Sequence, residues 1–126
     1  MLINLTNHPS ANWNEEQREE AIHRWGVIED VPFPAVGPEW DNGHMIQCAR
    51  AIAGEVARKQ PDAVLCQGEM SMTFLLVSML QKKGIPVFAA TSERRAMEEL
   101  QPDGSIRKSV VFSFVMFREY VALCEI

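Results

Sequence analysis

The alternation of short apolar runs with stretches of helical periodicity constrains this chain more than any other feature of its sequence. Leu2 to Leu5, Val27 to Phe33, Ala63 to Cys66 and Ile85 to Ala90 read as strands: Ala63 to Cys66 is short and apolar, as a strand covered on both faces should be, and Val27 to Phe33 is ended by Pro32-Phe33-Pro34. Helical patterns lie between them. Glu15 to Trp25 begins after Asn14, which with Gln17 three residues on resembles a capping pair, carries Glu15 and Glu16 at its positive end, and stops at Gly26. From Gly43 to Gln60 the residues Met45, Cys48, Ala49, Ile52, Ala53 and Val56 recur at helical spacing on a narrow face suited to lying close on a sheet, and Pro61-Asp62 ends the run. Met70 to Lys83 is apolar almost all round and closes at Gly84. The order strand, helix, strand, helix, strand, helix, strand is the signature of a parallel sheet with right-handed crossovers.

After Ala90 the pattern changes. Arg95 to Gln101, the turn signal Pro102-Asp103-Gly104 and the run Ile106 to Phe117 predict a β-hairpin finishing one edge of the sheet, with a helix over Glu93 to Leu100 as the competing assignment. Ala35 to Asn42, with Gly37, Pro38 and Trp40, has no period and reads as a surface connection whose Trp40 covers the core edge, in preference to a lid. The tail from Arg118 has no clear assignment, and no repeat is present. The fold class is therefore α/β: a single domain over residues 1–126, mostly parallel, with flanking helices and a C-terminal β-hairpin.

Bulk properties narrow the class of partner. With 126 residues, 47% hydrophobic and 23% charged, the chain is ordinary for one soluble globular domain. No apolar run approaches the roughly 20 residues that span a bilayer, which argues against a membrane partner. Asn4, Thr6, Asn7 and His8 interrupt the first run too early for a signal peptide, so the cytoplasm is the expected location. The net charge of -5 argues against an extended nucleic acid polymer but leaves room for a small phosphorylated ligand held locally. Cys48, Cys66 and Cys124, odd in number and set among apolar neighbours, read as buried thiols. The all-round apolar third helix predicts a homodimer, with that helix as a candidate for the interface.

Three polar clusters follow three of the predicted strands: Thr6-Asn7-His8 with Ser10 beyond, Gln67-Gly68-Glu69, and Thr91-Ser92-Glu93-Arg94. Parallel strands point the same way, so the clusters are expected on one rim, where open α/β sheets bind ligands. Gly68 would admit a ligand to the backbone just before a helix N-terminus, favouring phosphate or carboxylate. Each piece also has a structural alternative: His8 as a turn cap before Pro9, Glu69 as a helix-terminal charge, Thr91 and Ser92 as caps, Arg94 as a solvated edge residue. There is no GxGxxG or phosphate loop, no ligand-spaced HxxxH or CxxC pair and no GxSxG elbow, so neither a cofactor nor a metal is expected.

LTNHPS at the start, QGE after the third strand, TSER after the fourth and the closing FVMFREY resemble the small stand-alone CRISPR-associated Rossmann-type proteins related to CARF domains. Some members of that group are ring nucleases that degrade cyclic oligoadenylate second messengers. The resemblance implies a dimeric Rossmann-like, CARF-like domain, and metal-independent attack of a ribose 2′-OH on the adjacent phosphodiester. It assigns His8 as candidate acid/base with Asn7 and Arg94 beside it, phosphate contacts to Asn7, Ser10, Ser92 and Arg94, and a ribose or base contact to Glu69. Thr6, Gly68, Thr91 and Glu93 complete the candidate binding set. Two alternatives stay open: a noncatalytic sensor of cyclic oligonucleotides, and a small nucleotide- or nucleoside-processing enzyme that uses Glu69 or Glu93 as nucleophile or base.

Overall fold

The computed structural model describes residues 1–126. Its elements are β1 (Leu2–Thr6), α1 (Glu15–Trp25), β2 (Ile28–Asp30), α2 (Asn42–Arg58), β3 (Ala63–Gln67), α3 (Met70–Lys82), β4 (Val87–Leu100) and β5 (Ile106–Glu119), with short 3-10 turns at Ser10–Asn12 and Leu123–Glu125. One five-stranded sheet runs in the order β2-β1-β3-β4-β5. The first three neighbouring pairs are parallel and β4–β5 is antiparallel. The chain is thus a single Rossmann-like α/β domain with a C-terminal hairpin. No helix is long and apolar enough to cross a membrane.

Strand alternation sorts the core into two layers. Ile3, Leu5, Val64, Cys66 and Val87 face α2 and α3, where Met45, Ala49, Ala53, Val56, Met72, Leu76 and Leu80 are buried against them. Leu2, Ala63, Leu65 and Phe88 face the other way, toward Ala21 of α1 and an aromatic group. In that group Trp25 meets Phe88 and Phe117 edge-on at 5.1 and 5.3 Å, and Phe114 lies 4.9 Å from Phe117. This pins the base of the hairpin to α1. The Asn14 side chain accepts from the Gln17 N–H at 2.9 Å, so the capping expected for α1 is present.

Several boundaries differ from the sequence reading. β2 is only three residues long, because Val31 turns off after its N–H pairs with the Asn4 carbonyl and Pro32 follows. β4 does not stop at Ala90 but continues to Leu100, so Thr91 to Arg95 lie inside a strand, and the helix over Glu93 to Leu100 is excluded. Pairing with β5 along the whole length imposes this conformation, and Gly104 at φ 86° makes the turn. Cys66 is buried and Cys48 half-buried, but Cys124 is exposed in the C-terminal turn, correcting the expectation that all three thiols are buried. On α3 one corner stays uncovered, at Met70 and Phe74.

Candidate functional site

A cavity of about 520 Å³ opens at the carboxyl ends of β1 and β3, on the face of the sheet that carries α1. It exists because β3 and β4 diverge there. Their backbone ladder ends at Leu65–Phe88, and the Gln67 side chain bridges the widening gap. Its amide accepts from the Ala90 N–H at 2.9 Å and donates to the Ala90 carbonyl at 3.3 Å. Beyond that amide pair the strands part and the cavity begins.

β1 supplies one wall. Asn4 and Thr6 are buried on the α1 face, an exception in a strand otherwise apolar. Buried polar groups cost stability unless paired, and here every one is. The Thr6 hydroxyl donates to Asn4 Oδ1 at 2.8 Å and accepts from the His8 N–H at 3.1 Å. Asn4 Nδ2 donates to the His8 carbonyl at 2.9 Å and to Asp30 Oδ1 at 3.0 Å, and Trp13 Nε1 donates to the same His8 carbonyl at 3.1 Å. The Asp30 carboxylate also accepts from the Ser10 N–H, at 3.2 Å to each oxygen. The Asn7–Ser10 turn is therefore tied from below while the Asn7 and His8 side chains stay exposed.

Of the residues singled out from sequence, Thr6, Asn7, His8, Gly68, Thr91 and Ser92 border this cavity, with Gln67 between them. Ser10 does not: its N–H is engaged by Asp30 and its carbonyl accepts from Arg18 at 2.7 Å. Glu69 lies on the far side of the sheet with α3, whose N-cap it forms. There it borders a second cavity between α3 and the Val36–Trp40 loop. Its carboxylate is taken up by the Ser71 hydroxyl and by the N–H groups of Ser71 and Met72, which hold the carboxyl below its usual range, the hydroxyl contributing most. Glu93 pairs with Arg95 at 3.2 Å, and neither Glu93 nor Arg94 reaches the cavity from its place on the hairpin. The Ala35 to Asn42 connection flanks the second cavity. Trp40 packs against the core and stacks on His44 at 3.9 Å, and the loop forms no lid over the first cavity.

Gly68 borders the cavity and also has a packing role that the sequence did not suggest. A Cβ there would stand 2.5 Å from the buried Phe33 ring, so the glycine lets that ring close the core beneath the cavity.

Sequence reasoning missed the opposite wall. Asn12, Trp13, Asn14 and Gln17 come from the approach to α1, and Phe112 and Phe114 from β5. It also missed Asn4 and Asp30, although the signal was present: a polar residue inside an apolar strand, with a carboxylate in register on its neighbour. The completed lining contains amides, hydroxyls and aromatic rings, and no Asp, Glu, Lys or Arg. His8 is its one titratable side chain. No group of three or more His, Cys, Asp or Glu side chains converges to hold a metal ion.

A comparison with curated proteins finds no match. Residues 1–118, nearly the whole chain, match a family, and on that ground the chain belongs to the uncharacterized protein MJ1673 family.

Proposed function

We propose that this protein binds a small nucleotide in the β1/β3/β4 cavity and that the ligand is a cyclic oligoadenylate, cleaved without a metal as in a ring nuclease. The observation that carries the proposal is the lining: side-chain amides able to read a base edge, two phenylalanine rings able to stack on a base, and one exposed imidazole, at the carboxyl ends of parallel strands. The volume lies within the range of small-molecule sites. The resemblance to the CARF-related ring nucleases supplies the choice of ligand.

In the proposed reaction the ribose 2′-oxygen attacks the adjacent phosphorus as His8 takes the 2′-OH proton, because imidazole is the side chain best suited to exchange protons near neutral pH. The bond from phosphorus to the 5′-oxygen breaks, that oxygen takes up a proton, and a 2′,3′-cyclic phosphate and a 5′-hydroxyl result. Asn7 and Ser92 donate hydrogen bonds to the phosphate. Arg94, outside the cavity of its own chain, has no part in this version of the site, and the position of Glu69 and Glu93 outside the cavity disfavours an enzyme built on either carboxylate. One observation favours the noncatalytic sensor as second reading: no fixed cation borders the cavity to offset charge developing on a phosphate.

Incubation with cyclic tri-, tetra- and hexa-adenylate in EDTA, followed by separation of products, tests the proposal. Linear products ending in 2′,3′-cyclic phosphate are expected. Binding without turnover selects the sensor, and the absence of both rejects the ligand class.

A further inference from the structure

Past Ala90 the hairpin leaves the body of the protein. From Thr91 to Leu100, β4 has β5 on one side and no strand on the other, so its outward backbone groups form an open edge about 30 Å long. The register puts Leu100, Ile106, Val110 and Phe112 on the same face as Ser92, interspersed with Arg94, Glu98 and Lys108, and the four apolar side chains are 74, 58, 46 and 67% exposed. A two-stranded ribbon alone is marginal in water, and an open edge with exposed apolar side chains beside it is a template for another strand.

We infer that the arm is a homodimerisation element: β4 of one copy pairs antiparallel with β4 of a second about a two-fold axis at Ala96, and the second arm's tip closes the open side of the cavity. The charges select the occupant. Arg94 and Glu98 are exposed, lie symmetrically about Ala96, and belong to none of the three ion pairs within the chain. A two-fold axis at Ala96 sets each Arg94 directly opposite Glu98 of the other copy, so the strand is complementary to itself, as an isologous contact requires. On the other face Glu93 meets Glu99 of the second copy. Each of these carboxylates has a cation in its own chain, since Arg95 lies 3.2 Å from Glu93 and Arg107 stands across from Glu99.

Directly opposed residues in an antiparallel ladder share a face, about 5 Å apart, so Ser92 at the cavity wall meets Leu100 of the second copy. The incoming Leu100 and its Pro102-Asp103-Gly104 turn then cover the gap that opens between β3 and β4 beyond the Gln67–Ala90 amide pair. This inference rests on the arm alone and stands whichever ligand the cavity takes.

Sedimentation equilibrium of the full chain tests it. Wild type is expected to be dimeric at micromolar concentration. Arg94→Glu and Glu98→Arg are each expected to weaken the dimer about tenfold or more by placing like charges opposite one another, and the double variant to recover it. Independently, Ala96→Cys in a Cys124→Ser background should form a disulfide-linked dimer under mild oxidation, because paired positions on the axis fall within disulfide reach. Cross-linking decides the matter if a single reversal fails to fold. A wild type that stays monomeric at about 100 μM overturns the inference. So does a dimer that withstands both reversals, and so does failure to cross-link at position 96.

Discussion

Asn4 Nδ2 lies 3.0 Å from the Asp30 carboxylate and, through the same nitrogen, 2.9 Å from the carbonyl of His8. One buried amide therefore couples the end of β2 to the turn that presents Asn7 and His8. Asn4→Ala removes the donor to both groups and takes from the buried Thr6 hydroxyl the nearer of its two acceptors, Asn4 Oδ1 at 2.8 Å, leaving it only the His8 carbonyl at 3.2 Å. It should lower stability by about 1–3 kcal/mol, the usual cost of orphaning buried partners. Urea denaturation measures this, and a loss below about 0.5 kcal/mol contradicts the account.

Gly68 and Phe33 should behave as a packing pair. Gly68→Ala places a methyl 2.5 Å from the Phe33 ring and is expected to cost about 1–3 kcal/mol by overpacking. Phe33→Leu should lose stability alone and yet recover part of the Gly68→Ala loss when the two are combined. A double-mutant cycle with no coupling would falsify the close-packing role of Gly68.

Glu69 gives a pH signature. Its carboxyl is held below the ordinary value of 4.5, chiefly by the Ser71 hydroxyl and then by the N–H groups of Ser71 and Met72. A depressed folded-state pKa means that unfolding takes up a proton in acid. The stabilisation is therefore whole above the unfolded value and is lost as pH falls through the folded one. The stability gap between wild type and Glu69→Gln should be constant from neutrality to about pH 5 and narrow in more acid solution. A gap that persists unchanged to about pH 3 would mean the cap does not depend on the charge.

The body of the fold was legible in the sequence because its signals are local. Asn14, Gln17 and Gly26 mark α1, the small-residue stripe of α2 matches the face it buries, and short apolar runs mark β1, β3 and the start of β4. The arm was not legible in the same way. Thr91 to Leu100 is rich in Glu, Arg, Ala, Met and Leu, residues that favour helix, and it becomes a strand because Ile106 to Glu119 pairs with it from beyond a turn. That pairing moves Glu93 and Arg94 away from the rim where the sequence order suggested they would end. Glu69 was displaced for another reason: Thr6, Gln67, Ala90 and Ser92 share the α1 face, whereas α3 begins on the opposite one. Which side a helix takes is a property of the assembled sheet. The same is true of Asn12, Gln17, Phe112 and Phe114, which come to the cavity only once α1 and the hairpin are packed together.

The most direct test of the central claim is the separation of turnover from binding in His8→Ala. Cyclic oligoadenylate cleavage in EDTA should fall at least about a hundredfold, the usual range for removing a general acid/base, while ligand affinity measured by calorimetry changes less than about threefold. The His8 side chain is exposed and its backbone carries the local hydrogen bonds, so the fold should be unaffected. Cleavage by His8→Ala at the wild-type rate would contradict the account and remove His8 from the reaction.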